Sequence, residues 1–383
     1  MPDGHAEKPI AFIDLDAQRR RIGARMEEAL LRVTRSGKYI MGPEVFELER
    51  QLAAFCGAKH VLSCSSGTDA LALPLMAWNV RPGQAVLCPA FTFAATAEVV
   101  AWLGATPVFV DVIEGTFNLD PASLEAGIET AKRLGLKPVG VITVDLFGLP
   151  ADYDAILPIA EAHGLWLLDD AAQGFGASYK GRKLGTFGQM TATSFFPAKP
   201  LGCYGDGGAV FLDDDALHDV LLSLRIHGQD KDDKYENVRI GMTARMDTLQ
   251  AAVLIEKLAV FEDEISARNL VAERYNDALQ DVAIVPRIPA GLTSVWAQYT
   301  LRAPGRERVK ILAALKAEAI PTAIYYPKPL HRQTAYAKYP VAGNGLPVSE
   351  RLAAEVFSLP MHPYLDHATQ DRIVAATRRA LAA

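Results

Sequence analysis

The sequence predicts an α/β protein with a large, mostly parallel sheet and a smaller α+β unit at its C-terminal end. Three observations carry this. Short runs that are apolar throughout recur from about residue 59 to residue 168. Amphipathic stretches of helical length separate them, the signature of strands covered on both faces. After Leu168 the texture changes, first to a Gly-rich stretch and then to a long helical period ending near Leu279.

The elements follow in order. His60 to Cys64 reads as a strand and Asp69 to Trp78 as a helix. Ala85 to Cys88 is a strand, Ala94 to Leu103 a helix, and Pro107 to Val110 a strand. A helix over Ser123–Leu134 precedes a strand over Val139–Thr143; a helix over Tyr153–His163 precedes a strand over Leu165–Leu168. Such alternation builds a doubly wound sheet. Thr191–Phe195 and Gly208–Leu212 read as strands, and Ala216–Arg225 as a helix. Asp247 to about Leu279 has the period of one long helix and marks a hinge. Beyond it, Val295–Arg302 reads as a strand and Val309–Ala317 as a helix, and the rest is rich in Pro, Tyr and His. The expected division is a large domain over 1–255, with an N-terminal helical segment, and a small domain over 256–383.

At 383 residues, half of them hydrophobic, the chain is long enough to bury a substantial core and suggests two domains. With 39 Lys+Arg against 45 Asp+Glu the net charge is −6, and no basic block provides a nucleic-acid footprint. Residues 1–8 lack a basic region followed by an apolar one, so no secretory leader is expected there. Val86 to Val110 carries Glu98 as its only charge, but Pro89, Gly104 and Pro107 interrupt it. A strand, a helix and a second strand explain it better than a membrane span. The four cysteines form no CxxC pair, which favours free thiols in a reducing cytoplasm. No metal-binding motif, Walker loop or nucleophile elbow is present.

Four groups of residues fall where an open α/β sheet binds ligands, at the carboxyl ends of its strands. Ser65-Ser66-Gly67-Thr68-Asp69 joins a strand to a helix and suits either a phosphate cradle or a plain helix cap. Phe91-Thr92-Phe93 offers rings that either stack on a planar ligand or pack in the core. Asp169-Asp170-Ala171-Ala172-Gln173 places carboxylates after an apolar strand, where a desolvated carboxylate needs a cation and a spare one caps a helix. Ser194-Phe195-Phe196-Pro197-Ala198-Lys199 sets one lysine among aromatics and prolines. Desolvation there favours the neutral amine, the form that makes Schiff bases, although a loop lysine is more often simply exposed.

Taken together, these groups resemble the fold type I enzymes that use pyridoxal 5′-phosphate, and more narrowly the DegT/DnrJ/StrS family of sugar-nucleotide aminotransferases. The resemblance runs from Phe12-Ile13-Asp14-Leu15 to Leu359-Pro360-Met361-His362-Pro363. It includes Ser36 to Pro43, Arg245 to Ala252, and Tyr326-Pro327-Lys328-Pro329-Leu330-His331. The family implies that Lys199 holds the cofactor and shuttles a proton, and that Asp170 pairs with the pyridine nitrogen. It implies that Gln173 bonds near the phenolic oxygen, that Phe93 stacks on the ring, and that Gly67, Thr68 and Ser194 hold the phosphate. Relatives with histidine at the lysine position act as dehydratases, so Lys199 favours transamination. Family members generally have Asn two residues before the Arg of the Arg245 motif, reaching the neighbouring subunit's cofactor; Thr243 stands there and reaches less far.

The resemblance further implies a homodimer with shared sites, L-glutamate as donor and a keto-sugar nucleotide as acceptor. The segment from His227 to Gln250 is similar to members that aminate C3 of a UDP-linked 2-acetamido-3-keto-hexuronate. Arg239 is then the candidate partner of the sugar carboxylate, with Tyr326 and His331 as further substrate contacts; the other possibility for Arg239 is a solvated charge in a loop rich in Lys and Asp. Amination at C4, or on another nucleotide's sugar, is the second expectation, and a pyridoxal-phosphate-binding regulatory protein without turnover the third.

Overall fold

The computed structural model describes residues 9–382, so the expectation for residues 1–8 lies outside them. Its centre is a seven-stranded sheet: β1 (His60–Cys64), β2 (Gln84–Pro89), β3 (Thr106–Val110), β4 (Lys137–Val144), β5 (Trp166–Asp170), β8 (Met190–Ser194) and β9 (Gly208–Leu212). The short hairpin β6 (Ser178–Tyr179) and β7 (Arg182–Lys183) lies outside it. The order across the sheet is β1-β9-β8-β5-β4-β2-β3, and β9 alone runs against the others. Helices α4 (Gly67–Ala77), α5 (Ala95–Trp102), α6 (Pro121–Arg133) and α7 (Tyr153–Ala162) connect the parallel strands; α1 (Leu15–Ile22), α2 (Ala24–Ser36) and α3 (Pro43–Cys56) precede the sheet, and α8 (Asp215–Leu224) follows β9. The strands are buried almost end to end, which is why their sequences are apolar rather than alternating.

Local chemistry sets the helix starts. Asp120 accepts the Ala122 N–H at 3.0 Å with Pro121 in the first turn, and Asp214 accepts the Leu217 N–H at 2.9 Å. The stretch Val86–Val110 is a buried strand, the helix α5 and a second buried strand, as expected. All four cysteines are free and buried.

Two strands differ from expectation. β5 continues through Asp169 and Asp170, because Asp170 still pairs with Val144 on one side and Ala192 on the other. Neither aspartate therefore caps a helix. In the C-terminal part, strand β10 is Tyr299–Arg302 only, since Trp296 adopts a positive φ of 49° and Val295 N–H bonds Gly148 O at 3.1 Å.

Helix α9 (Thr248–Leu279) runs unbroken for 32 residues and serves two cores. Phe261 and Ile265 pack with the sheet; Val271, Tyr275 and Leu279 pack with Tyr299, Leu315, Phe357 and Ile373 in a second cluster. That cluster is built from α10 (Arg308–Ala317), α12 (His367–Ala382) and the antiparallel pair of β10 with β11 (Val356–Leu359), while α11 (Pro347–Glu355) packs Leu352 and Ala353 in a separate cluster with Phe91, Phe117 and Phe147. Asp111, just past β3, joins the two parts by accepting Val348 N–H at 2.9 Å, Ser349 N–H at 2.8 Å and the Ser349 hydroxyl at 2.6 Å.

Candidate active site

β1, β2, β4, β5 and β8 are parallel to one another, so their carboxyl ends share one edge of the sheet. Asp170 ends β5, Ser194 ends β8, and Lys199 lies in the loop after β8, where its N–H bonds Phe196 O at 2.8 Å. Asp170 is buried; its Oδ2 accepts the Thr96 hydroxyl at 2.9 Å and its Oδ1 the Ala172 N–H at 3.2 Å. Burial raises this carboxyl above its ordinary range, opposed by the Thr96 bond and the positive charge of Lys199. Burial lowers the Lys199 amine, opposed by the Asp170 charge. Each is the charge the other needs, and the neutral amine is favoured beyond what an exposed lysine shows.

The phosphate-cradle residues meet across β1 and β8. Helix α4 starts at Gly67, with the Ser66 hydroxyl accepting the Asp69 N–H at 3.0 Å, and Thr68 lies in the first turn. A Cβ on Gly67 would lie 2.5 Å from Ser194 Cβ, so only glycine lets this helix end approach the Ser194 hydroxyl. Ser66 caps the helix, as one reading of the segment expects, and Gly67, Thr68 and Ser194 surround its N-terminus, where an anion is favoured.

On the other side, Gln173 is buried; its Oε1 accepts the Phe147 N–H at 2.8 Å and its Nε2 donates to the Tyr326 hydroxyl at 3.1 Å. Tyr326 packs edge-on against Phe91, ring centroids 6.1 Å apart. Phe91 is thus core, whereas Phe93 presents an exposed ring. The loop bearing Tyr326 and His331 is pinned to the end of β2 by Leu330 N–H to Ala90 O at 2.8 Å. His331 is buried with its Nε2 3.0 Å from Glu350, which also binds Arg332.

Thr243 and Arg239 form a separate surface group. The Thr243 hydroxyl is 2.8 Å from His227 Nε2 and accepts from Arg245 at 3.0 Å; Arg239 is exposed and donates to the Ser223 hydroxyl at 3.1 Å. Sequence reasoning missed Thr96, the one hydroxyl on Asp170; its signal was a hydroxyl beside Glu98 in the first turn of a helix that is otherwise apolar. It also missed Lys257 of α9, whose ammonium donates to Gly202 O at 2.6 Å and braces the loop that follows Lys199.

Residues 20–378 match the DegT/DnrJ/EryC1/StrS aminotransferase family. The chain is 49% identical over 368 residues to the UDP-2-acetamido-2-deoxy-3-oxo-D-glucuronate aminotransferase of Pseudomonas aeruginosa, covering 96% of this chain and 99% of that one. Among solved structures, a DegT/DnrJ/EryC1/StrS aminotransferase from Brucella abortus is 53% identical with a TM-score of 0.94, covering 97% of this chain and 99% of the other. DesV of S. venezuelae, solved in complex with a ketimine intermediate, is 36% identical with a TM-score of 0.91, covering 97% and 98%. With nearly the whole chain matched in sequence and in three dimensions, and with the lysine, aspartate and glycine cradle gathered at one sheet edge, this protein belongs to the DegT/DnrJ/EryC1/StrS aminotransferase family.

Proposed function

We propose that the chain moves an amino group from L-glutamate, with pyridoxal 5′-phosphate held at Lys199, to C3 of a UDP-linked 2-acetamido-3-keto-hexuronate. The observation that carries this is the pairing of a half-buried Lys199 amine with a buried Asp170 carboxylate at the carboxyl edge of the sheet. The residues fit the cofactor: Gly67 leaves room that any Cβ would fill, and the helix end beside Ser194 suits a phosphate. When bound, the cofactor supplies an electron sink for the carbon that carries the amine.

The chain's own residues do the rest. Lys199 in its neutral form would hold the cofactor through its amine and, when that amine is free, would move a proton to and from the reacting carbon. Asp170, fixed by Thr96 and Ala172, supplies the anion that keeps the pyridine nitrogen protonated. Gln173, tied to Phe147 N–H and the Tyr326 hydroxyl, holds its amide toward the phenolic oxygen. Gly67, Thr68 and Ser194 bind the phosphate, and the exposed ring of Phe93 stacks on the cofactor.

Tyr235 and Ile240 are 83% and 91% exposed, unusual for large apolar side chains, and we assign them to a homodimer interface. Thr243 and Arg239, on the same surface segment, then reach the neighbouring site, Thr243 toward its phosphate and Arg239 toward the sugar carboxylate. The substrate class rests on the 49% identity to the enzyme named for the 3-oxo-glucuronate nucleotide. Tyr326 and His331 line the approach for the sugar. In this reading 1–255 is the cofactor domain and 256–383 the small domain, with α9 crossing between them. No described helix is long and apolar enough to cross a membrane; the proposed setting is the cytoplasm, where amino sugars for surface polysaccharide are made.

The test is the near-UV and visible absorption of the loaded protein before and after L-glutamate, followed by turnover of 3-keto and 4-keto sugar nucleotides. A visible band that converts to the shorter-wavelength aminated form, with turnover of the 3-keto uronate, supports the proposal. A band unmoved by glutamate removes that donor, and turnover of the 4-keto sugar alone moves the reaction to C4.

A further inference from the structure

Behind Asp170, on the opposite face of the sheet, two carboxyl groups meet without a cation. Successive residues of a strand point to opposite faces, so Asp169 points away from the lysine side. It is fully buried, and so is Asp145, the residue after β4. The two side chains are in hydrogen-bond contact with each other and with Tyr153. Asp145 Oδ1 accepts the Ala151 N–H at 2.7 Å and the Tyr153 hydroxyl at 2.9 Å, and Asp169 Oδ2 lies 3.3 Å from the Thr191 hydroxyl. Asp145 Oδ2 and Asp169 Oδ1 have no donor from the protein among the described residues. Two carboxylates both accept, so contact between them requires a proton. Neither forms an ion pair among the described residues; the titratable groups that face the pair are Tyr153 of α7 and Asp170 of β5, while β8 brings Thr191 and the turn 171–176 brings none.

The pair sits where four pieces of the site's frame join. Asp145 N–H bonds Asp170 O at 3.1 Å, extending the β4–β5 register by one residue. Tyr153 opens α7. Gly174, next to Gln173, lies so close that a Cβ there would be 2.4 Å from Asp145 Cβ. We propose that Asp145 and Asp169 share one proton across the ends of β4 and β5, and that this pair is a positioning device for the segment carrying Asp170 and Gln173. Asp169 holds the proton and Asp145 accepts it; the Ala151 N–H at 2.7 Å and the Tyr153 hydroxyl at 2.9 Å both donate to Asp145 Oδ1 and stabilise charge there. Burial, and then the neighbouring negative charge, raise Asp169 well above the ordinary carboxylate range. Because the folded pKa is raised, the pair's contribution is complete at acidic pH, below the range of an unfolded aspartate. It is lost as the pH rises and the shared proton leaves.

The importance of this segment rests on the reading of Asp170 and Gln173 as cofactor contacts, whereas the shared proton does not. The experiment therefore uses the full chain with and without pyridoxal phosphate. Infrared spectroscopy in light and heavy water is expected to show a protonated carboxyl at neutral pH that Asp169→Asn removes. In Asp169→Asn an amide N–H replaces the proton, so backbone exchange of residues 171–176 stays within about 3-fold of wild type, while Asp169→Ala speeds it about 10-fold or more. Raising the pH from about 6 to 9 speeds this exchange in wild type relative to Asp169→Asn at each pH. Absence of the acid band in wild type overturns the shared proton, and equal exchange in the Asn and Ala variants overturns the positioning role. The infrared comparison uses the isosteric variant and decides the proton even where Asp169→Ala does not fold. Failure of the cofactor reading is a different result, a chain that takes up no pyridoxal phosphate while the acid band persists.

Discussion

Thr96 and Gly67 act on the site through single contacts that can be removed one at a time. The Thr96 hydroxyl favours the ionised form of Asp170, so Thr96→Val raises that carboxyl further. A hydrogen bond to a charged group contributes about 1.5–3 kcal/mol, and the expected result is roughly a tenfold or greater weakening of cofactor binding. A dissociation constant from visible titration measures it, and unchanged binding would remove Thr96 from the site. Gly67→Ala sets a methyl 2.5 Å from Ser194 Cβ. Overpacking of this kind costs about 1–3 kcal/mol, and here it also closes the phosphate cradle. Calorimetry should show a lower melting temperature together with weaker cofactor binding; lower stability with intact binding would make Gly67 a packing residue only.

Among the elements, α9 and α11 hold the site from outside it. Lys257 of α9 is buried, donates to Gly202 O at 2.6 Å and lies over the Tyr204 ring at 4.5 Å. Burial lowers its amine from about 10.5 to about 8. Between those values the unfolded chain binds the additional proton, so this residue makes stability rise as the pH climbs from about 8 to 10.5. Lys257→Met removes that slope, a difference on the order of 3 kcal/mol across the window, read by denaturant midpoints of the two proteins at each pH. Parallel pH curves for the two proteins would contradict it. For α11 the anchor is Asp111, whose three bonds reach the first helical turn from just past β3, far away in the chain. Asp111→Ala should cost about 2 kcal/mol, the upper end for a lost cap, because the freed N–H groups stay largely buried. Faster amide exchange confined to 347–355 would locate the effect; a uniform change would not.

For the whole molecule, the proposed dimer with shared sites makes a prediction that single-chain chemistry does not. Lys199→Ala and Arg239→Ala subunits should each be inactive on the uronic substrate. Mixed dimers combine one intact lysine with one intact arginine across the interface, restoring about a quarter of wild-type activity after subunit exchange. No recovery on mixing would place Arg239 outside the neighbour's site. Ile240→Lys puts a charge on a side chain that is 91% exposed in the single chain, and sedimentation should show the dimer weakened with the fold retained.

The alternation of apolar strands and amphipathic helices was readable directly, because a strand buried on both faces admits only apolar residues, and that burial is local to each strand. The lysine, the aspartates and the Ser-Gly-Thr turn could likewise be picked out, since their chemistry is out of place among such neighbours. What pattern alone left open was which of two adjacent aspartates faces the lysine. That depends on β5 continuing through both residues, a matter of pairing with Val144 and Ala192 far away in the chain. Thr96, Lys257 and Asp145 were hidden for the same reason: their partners lie 74, 55 and 24 residues away, reached through sheet order and helix docking rather than through spacing. Composition and period report what each segment must bury. Which polar atoms then meet inside is set by how the buried faces close on one another.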